Sequence, residues 1–224
     1  MDFATARRAM VDGQVRTSDV TNLALIAAML EVPRERFVPD GMAALAYLDR
    51  DLRLDGGTGT GAPASRWLIK PVVLARLIQA ADPGPQDRVL VVGCGTGYSA
   101  AVLGRLAGSV LALETDESLA GRAQSTLSAL NARNVTVVTG PFAAGWPTSA
   151  PYEIILFDGG VEAVPDAVFS QLAPAGRLVS VVVAGPVGKA TYFQAVNGEV
   201  SGRAVFDAMA PVLPGLKKMP AFVF

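Results

Sequence analysis

The sequence contains no histidine. That removes the commonest general base and the commonest metal ligand. A serine–histidine triad is excluded, and no metal site is expected. Cysteine is nearly absent too. Cys94 stands alone, which excludes an intrachain disulfide and fits a reducing compartment. Long apolar runs are missing: stretches such as Val181-Val182-Val183-Ala184 are far too short to span a bilayer. Charge of one sign is missing as well. With 19 basic and 20 acidic residues the net charge is −1, and no basic block offers a footprint for nucleic acid. The opening MDFATARRAM lacks the charged-then-apolar order of a signal peptide. The absences together predict a soluble, cytoplasmic chain whose chemistry works without imidazole.

What is present is a large apolar inventory. Hydrophobic residues make up 51% of 224, enough for one large domain or one domain with an extension. Residues 1 to about 47 read as helical. Leu23, Ile26, Ala27 and Leu30 recur at helical spacing after a cap at Ser18 or Asp19, and Pro33 closes that run. Residues 49 to 66 have little periodicity and form a long glycine-, threonine- and alanine-rich loop, which is more often functional or mobile than filler. Pro71 suits the first turn of a helix reaching about Ala81. Beyond it, strands ("DRVLVVG", "SVLALE", "NVTVVTG", "YEIILFDGG", "GRLVSVVVAG") alternate with helices ("YSAAVLGRLA", "DESLAGRAQSTLSAL", "PDAVFSQL"). Such alternation implies crossovers and a buried, parallel sheet. The tail differs: "ATYFQAVNGEVSGRAVF" reads as two antiparallel strands around Asn197-Gly198.

Two glycine strings compete for a ligand. Gly57-Thr58-Gly59-Thr60-Gly61 lies in the long loop, whereas Gly93-Cys94-Gly95-Thr96-Gly97 follows a strand and opens a helix. Glycines at the second place allow a sharp turn and close approach of a ligand to the backbone. Free N–H groups at the helix start favour electronegative ligand atoms. Glu114 ends the next strand, where a carboxylate can accept hydrogen bonds from both hydroxyls of a ribose. The spacing is GxGxG rather than the dinucleotide GxGxxG, and no lysine–serine pair follows for a triphosphate. The pattern points first to S-adenosylmethionine and second to NAD.

Several blocks then carry a specific resemblance: "MVDGQV", "VPRERFVP", "AYLDRDL", "RVLVVGCGTGYSAAVL", "VLALETDESLAGRAQ", "NVTVV", "GWP", "APYEIILFDGG" and "LAPAGRLV". In order and spacing the sequence resembles the protein-L-isoaspartate O-methyltransferase family of class I, S-adenosylmethionine-dependent methyltransferases. The resemblance covers most of the chain. It implies a Rossmann-like α/β fold: a mostly parallel central sheet with helices on both faces, a helical N-terminal extension and antiparallel C-terminal strands. It also implies a division into residues 1–70, holding the extension and a substrate or lid loop, and residues 71–224, holding the cofactor domain. The cofactor set would be Gly93, Cys94, Gly95, Thr96, Gly97, Glu114, Thr115, Gly140, Pro141, Phe142 and Asp158, with Glu114 at the ribose and Gly140–Phe142 near the adenine. The implied substrate is a protein or peptide carboxylate, and the implied state a monomer or weak homodimer.

Two departures stand out. The family has Gly-Asp-Gly where this chain has Gly140-Pro141-Phe142, so the acid near the adenine amine is missing. The family's Thr-Ile-Ser-x-Pro motif aligns with Trp67-Leu68-Ile69-Lys70-Pro71, which puts Ile69 at the serine position. Thr58, Thr60, Ser65 and Lys70 are the candidates to replace the lost contact. A carboxylate is already the nucleophile at neutral pH, so the lack of histidine is no obstacle. Losing one transition-state donor nonetheless costs on the order of 10²–10³ in rate, so weak isoaspartyl activity is expected. The alternative is a cofactor-binding relative with weakened catalysis that acts as a sensor or interaction module.

Overall fold

The structure is a computed structural model that describes residues 2–54, 65–196 and 198–217. Thr58 and Thr60, with most of the glycine-rich loop, lie outside the described residues, as does Asn197. Six α-helices are described: α1 (Phe3–Met10), α2 (Leu23–Glu31), α3 (Pro71–Ala81), α4 (Tyr98–Leu103), α5 (Glu117–Ala129) and α6 (Asp166–Phe169). The strands are β1 (Leu52–Arg53), β2 (Trp67–Leu68), β3 (Arg88–Val92), β4 (Ser109–Glu114), β5 (Val135–Thr139), β6 (Tyr152–Val161), β7 (Leu172–Ala184), β8 (Val187–Val196) and β9 (Glu199–Asp207).

Seven strands form one sheet in the order β5-β4-β3-β6-β7-β8-β9. The first five run parallel, β8 pairs antiparallel with β7, and β9 pairs antiparallel with β8. Alternation along the buried strands feeds two cores. Val89 and Val91 enter the larger cluster, while Leu90 and Val92 enter the smaller one on the opposite face. Helices α1 to α5 supply the larger cluster. The smaller one is closed by α6, the turns around Phe142 and Trp146, and a C-terminal segment carrying Leu213 and Leu216. Both faces are therefore covered, with very unequal helical mass.

Three local expectations shift. The cap of α2 is Asn22, whose side chain accepts from the Leu25 N–H, because Asp19 sits in the left-handed region at φ 62° and closes the preceding turn. Helix α6 keeps four residues of the longer helix expected, and β7 begins at Leu172. The loop after residue 49 contains a minimal hairpin in which Leu52 pairs with Leu68 and Arg53 with Trp67.

Candidate active site

The site begins where β3 stops. Gly93, Gly95 and Gly97 all have positive φ, at 82°, 55° and 96°, a backbone path only glycine takes without strain. The turn is fastened to the neighbouring strand by the N–H groups of Gly93 and Cys94, both donating to the Leu113 carbonyl. The Thr96 hydroxyl donates to the Phe37 carbonyl in the N-terminal segment. Cys94 is buried, and burial beside Glu114 and Asp158 pushes its thiol well above the ordinary range. It fills space and is not a nucleophile.

Glu114, at the end of β4, is completely enclosed. Its carboxylate accepts from the backbone N–H of Gly95 at 2.7 Å and of Thr115 at 2.9 Å. Arg66, just ahead of β2, then donates to both of its oxygens: Nε to Oε1 at 3.1 Å and Nη2 to Oε2 at 2.9 Å. The same Nη2 donates to the Gly93 carbonyl at 2.8 Å. The guanidinium also lies 5.1 Å from the centre of the Phe142 ring. Gly140 donates its N–H to the Glu114 carbonyl, which brings the Gly140–Phe142 segment to the same strand end. Of the residues the sequence reading named, Gly93, Gly95, Glu114, Thr115, Gly140 and Phe142 meet here; it missed Arg66, which joins Gly93, Glu114 and Phe142.

Asp158 comes from β6, which lies on the other side of β3 from β4. It is buried, and its Oδ2 accepts from Ser99 Oγ at 2.5 Å. Its Oδ1 has no hydrogen-bond partner among the described residues. Burial raises the carboxyl to about 6, against the opposing effects of Ser99, Arg66 and Arg34. The sign of its effect on stability follows. The folded chain keeps this proton until about pH 6, whereas an unfolded aspartate releases it near 3.8. Between those values the folded state binds more protons, so stability falls as pH rises through the window. The displacement corresponds to about 3 kcal/mol. We expect Asp158→Asn, which cannot titrate, to gain on the native protein by about that amount between pH 4 and pH 7.5. Urea unfolding at the two pH values measures it; a difference that does not change with pH would refute the abnormal titration.

Ile69 is enclosed in the larger apolar cluster. Its carbonyl accepts from Arg34 Nη2 at 2.7 Å, while Arg34 Nε donates to the Ala46 carbonyl at 2.8 Å. The fully buried Arg34 guanidinium also covers the Tyr98 ring at 4.6 Å. Arg34 therefore ties the segment before α3 to the helix that follows the glycine turn, and sequence reading did not single it out. Of the replacement candidates, Ser65 Oγ accepts from Arg53 at 3.1 Å, and Lys70 donates its backbone N–H to Asp51 at 2.8 Å.

A glycine turn after one parallel strand and a carboxylate ending the next, at the carboxyl edge of such a sheet, are the arrangement of a class I methyltransferase fold. The family model described as protein-L-isoaspartate(D-aspartate) O-methyltransferase matches residues 6–212. A protein-L-isoaspartate O-methyltransferase of Pelotomaculum thermopropionicum is 41% identical over 179 residues, covering 80% of this chain and 75% of the relative. One from Methylorubrum extorquens is 40% identical over 190 residues, covering 85% and 78%. A solved protein-L-isoaspartate O-methyltransferase superposes with a TM-score of 0.82 at 25% identity, over 94% of this chain and 67% of that one. A Plasmodium falciparum structure described as a beta-aspartate methyltransferase in complex with S-adenosyl-L-homocysteine has a TM-score of 0.74 at 16% identity, over 92% and 97%, and speaks to fold alone.

The chain belongs to the protein-L-isoaspartate O-methyltransferase family. It is a methyltransferase with S-adenosylmethionine as methyl donor, and NAD, the second choice from spacing, is set aside. The expectation of a sensor or interaction module with weakened catalysis finds no support among these relatives.

Proposed function

We propose that the protein transfers a methyl group from S-adenosylmethionine to the carboxylate of an isoaspartyl residue in a protein or peptide. The observation that carries this reading is the convergence of the glycine turn and Glu114 in a chain whose relatives bear that name. The donor chemistry fits the cofactor. Glu114 accepts two parallel N–H bonds from one guanidinium, as it would accept two hydroxyls of one ribose. In this reading Gly93, Cys94, Gly95, Thr96 and Gly97 shape the cofactor cradle, Glu114 and Thr115 lie at the ribose, Gly140, Pro141 and Phe142 lie on the adenine side, and Asp158 closes the crevice floor. When bound, the sulfonium supplies an electrophilic methyl group.

The chain's own task is to hold the acceptor oxygen in line with that methyl group and keep water out. Such positioning supplies roughly 7–11 kcal/mol of a barrier. Lys70 and Ser65 flank the Ile69 segment and are the described candidates to receive the acceptor carboxylate. We further place the protein in the cytoplasm, as a monomer or weak homodimer, with residues 1–70 on the acceptor side and residues 71–224 around the cofactor. Among the described residues no helix is long and apolar enough to cross a membrane.

The test is methyl transfer from labelled S-adenosylmethionine to an isoaspartyl peptide, with the normal aspartyl peptide as control. A base-labile methyl ester on the first peptide only is expected. Label that survives base, or equal labelling of both peptides, would overturn the isoaspartyl assignment.

A further inference from the structure

The ligand groups proposed above are already engaged, and by the chain itself. Glu114, Gly93 and Phe142 are three of the residues assigned to the cofactor, and one side chain, Arg66, touches all three. Arg66 is 4% exposed. Two leucines complete the cover. A Cβ on Gly95 would stand 2.6 Å from Leu54 Cδ1, and one on Gly93 would stand 2.8 Å from Leu213 Cδ2. Apolar side chains therefore lie directly on the glycine turn.

We propose that Arg66 is an autoinhibitory latch whose guanidinium occupies the ribose-recognition site on Glu114, so that S-adenosylmethionine binds only as Arg66 leaves. The inference rests on the cofactor assignment of Glu114. Its physical basis is like-for-like competition. The carboxylate already accepts from backbone N–H groups on one side, and a bidentate guanidinium and a vicinal diol both answer its other side with two parallel donors. Phe142 offers its ring to a cation now and to a flat base when the cation has gone.

The latch can move without unfolding its surroundings. The Arg66 carbonyl is held by the Leu54 N–H at 2.9 Å, next to the β1–β2 pairing. That backbone bond does not depend on the guanidinium, so the side chains of Arg66 and Leu54 can change rotamer together while the β1–β2 pairing holds. The effect on affinity is set by the fraction of molecules unlatched: a latch closed in about nine molecules of ten weakens the apparent affinity about tenfold, and one closed in about 99 of 100 weakens it about a hundredfold.

The experiment uses S-adenosylhomocysteine, which binds without turnover, and calorimetry on the native protein, Arg66→Lys and Arg66→Ala, each checked for folding by circular dichroism. Lysine keeps a positive charge but cannot pair bidentately. The expected order of affinity is native weakest, Arg66→Lys intermediate and Arg66→Ala tightest, with about tenfold or more between the ends. A second readout needs no variant. The Arg66 Nε–H signal in nitrogen-15 NMR is expected to be protected from solvent exchange in the free protein and to lose that protection at saturation. Equal or weaker binding by folded Arg66→Ala overturns the latch and leaves the cofactor assignment standing. So does an Arg66 Nε–H that stays protected in saturated native protein. If none of the three proteins binds, both readings fall. Should Arg66→Ala not fold, Arg66→Lys and the NMR signal decide.

Discussion

Arg66→Ala is expected to destabilise the cofactor-free protein by about 3–5 kcal/mol, toward the lower end of that range. The reason is the stranded partner. Glu114 is wholly enclosed, and removing one member of a buried pair leaves a charge with no counter-charge. Three backbone N–H groups, of Gly95, Thr115 and Asp116, still point at the carboxylate, which is why the loss should not reach the top of the range. The bond to the Gly93 carbonyl and the stack on Phe142 go as well. Urea unfolding followed by far-ultraviolet circular dichroism measures the effect. A loss below about 1 kcal/mol, the size for a solvent-exposed pair, would mean that Glu114 is not enclosed in solution. The exposed pair of Arg88 with Glu153 serves as the internal comparison: Arg88→Ala should leave the unfolding midpoint nearly unchanged.

Arg66 also marks the boundary of what the sequence made legible. The frame was readable because its signals are local. Pro71 opens α3 and Ala81 ends it as the spacing predicts. The apolar run Val89–Val92 followed by glycines could only be a buried strand entering a tight turn, and Gly198 at φ 84° sits at the turn between β8 and β9. Where local signals conflicted, the boundaries moved. Asp19 and Asn22 are both good caps by type, and only the backbone path decides between them. The two-residue strands β1 and β2 have no periodicity to read at all.

The site divides along the same line. Gly93 to Gly97 and Glu114 were legible because a strand, a turn and a strand end fall at fixed intervals along the chain. Arg66 and Arg34 were not. A charged side chain is expected at the surface by default, and these two find their partners far along the sequence: Arg66 pairs with Glu114, and Arg34 reaches the Ile69 carbonyl. Nothing within a short window announces either contact. The signal that was available is coarse: Arg66 is the first charged residue after a long run of glycine, threonine, alanine, proline and serine, and Arg34 lies between two buried apolar positions, Val32 and Phe37.

Ile69→Ser is the substitution the resemblance invites, since it restores the family's hydroxyl. The structure gives it a different outcome: a loss of about 3–5 kcal/mol in stability and no rise in isoaspartyl methylation. Ile69 is 1% exposed and packed in the larger apolar cluster. Trimming a buried isoleucine to the size of alanine costs about 2–5 kcal/mol through lost transfer energy and the cavity left behind. A serine adds a hydroxyl that must find a partner there or cost about 1–3 kcal/mol more. The Ile69 carbonyl already belongs to Arg34 Nη2, so the backbone at this position is fixed by a buried cation and cannot easily turn the new hydroxyl toward the crevice. Denaturant unfolding and the isoaspartyl peptide assay, run on the same preparation, test both halves. A variant as stable as the native protein, with methylation raised tenfold or more, would show that residue 69 faces the acceptor and that its side chain, not the neighbouring Ser65 or Lys70, limits the reaction.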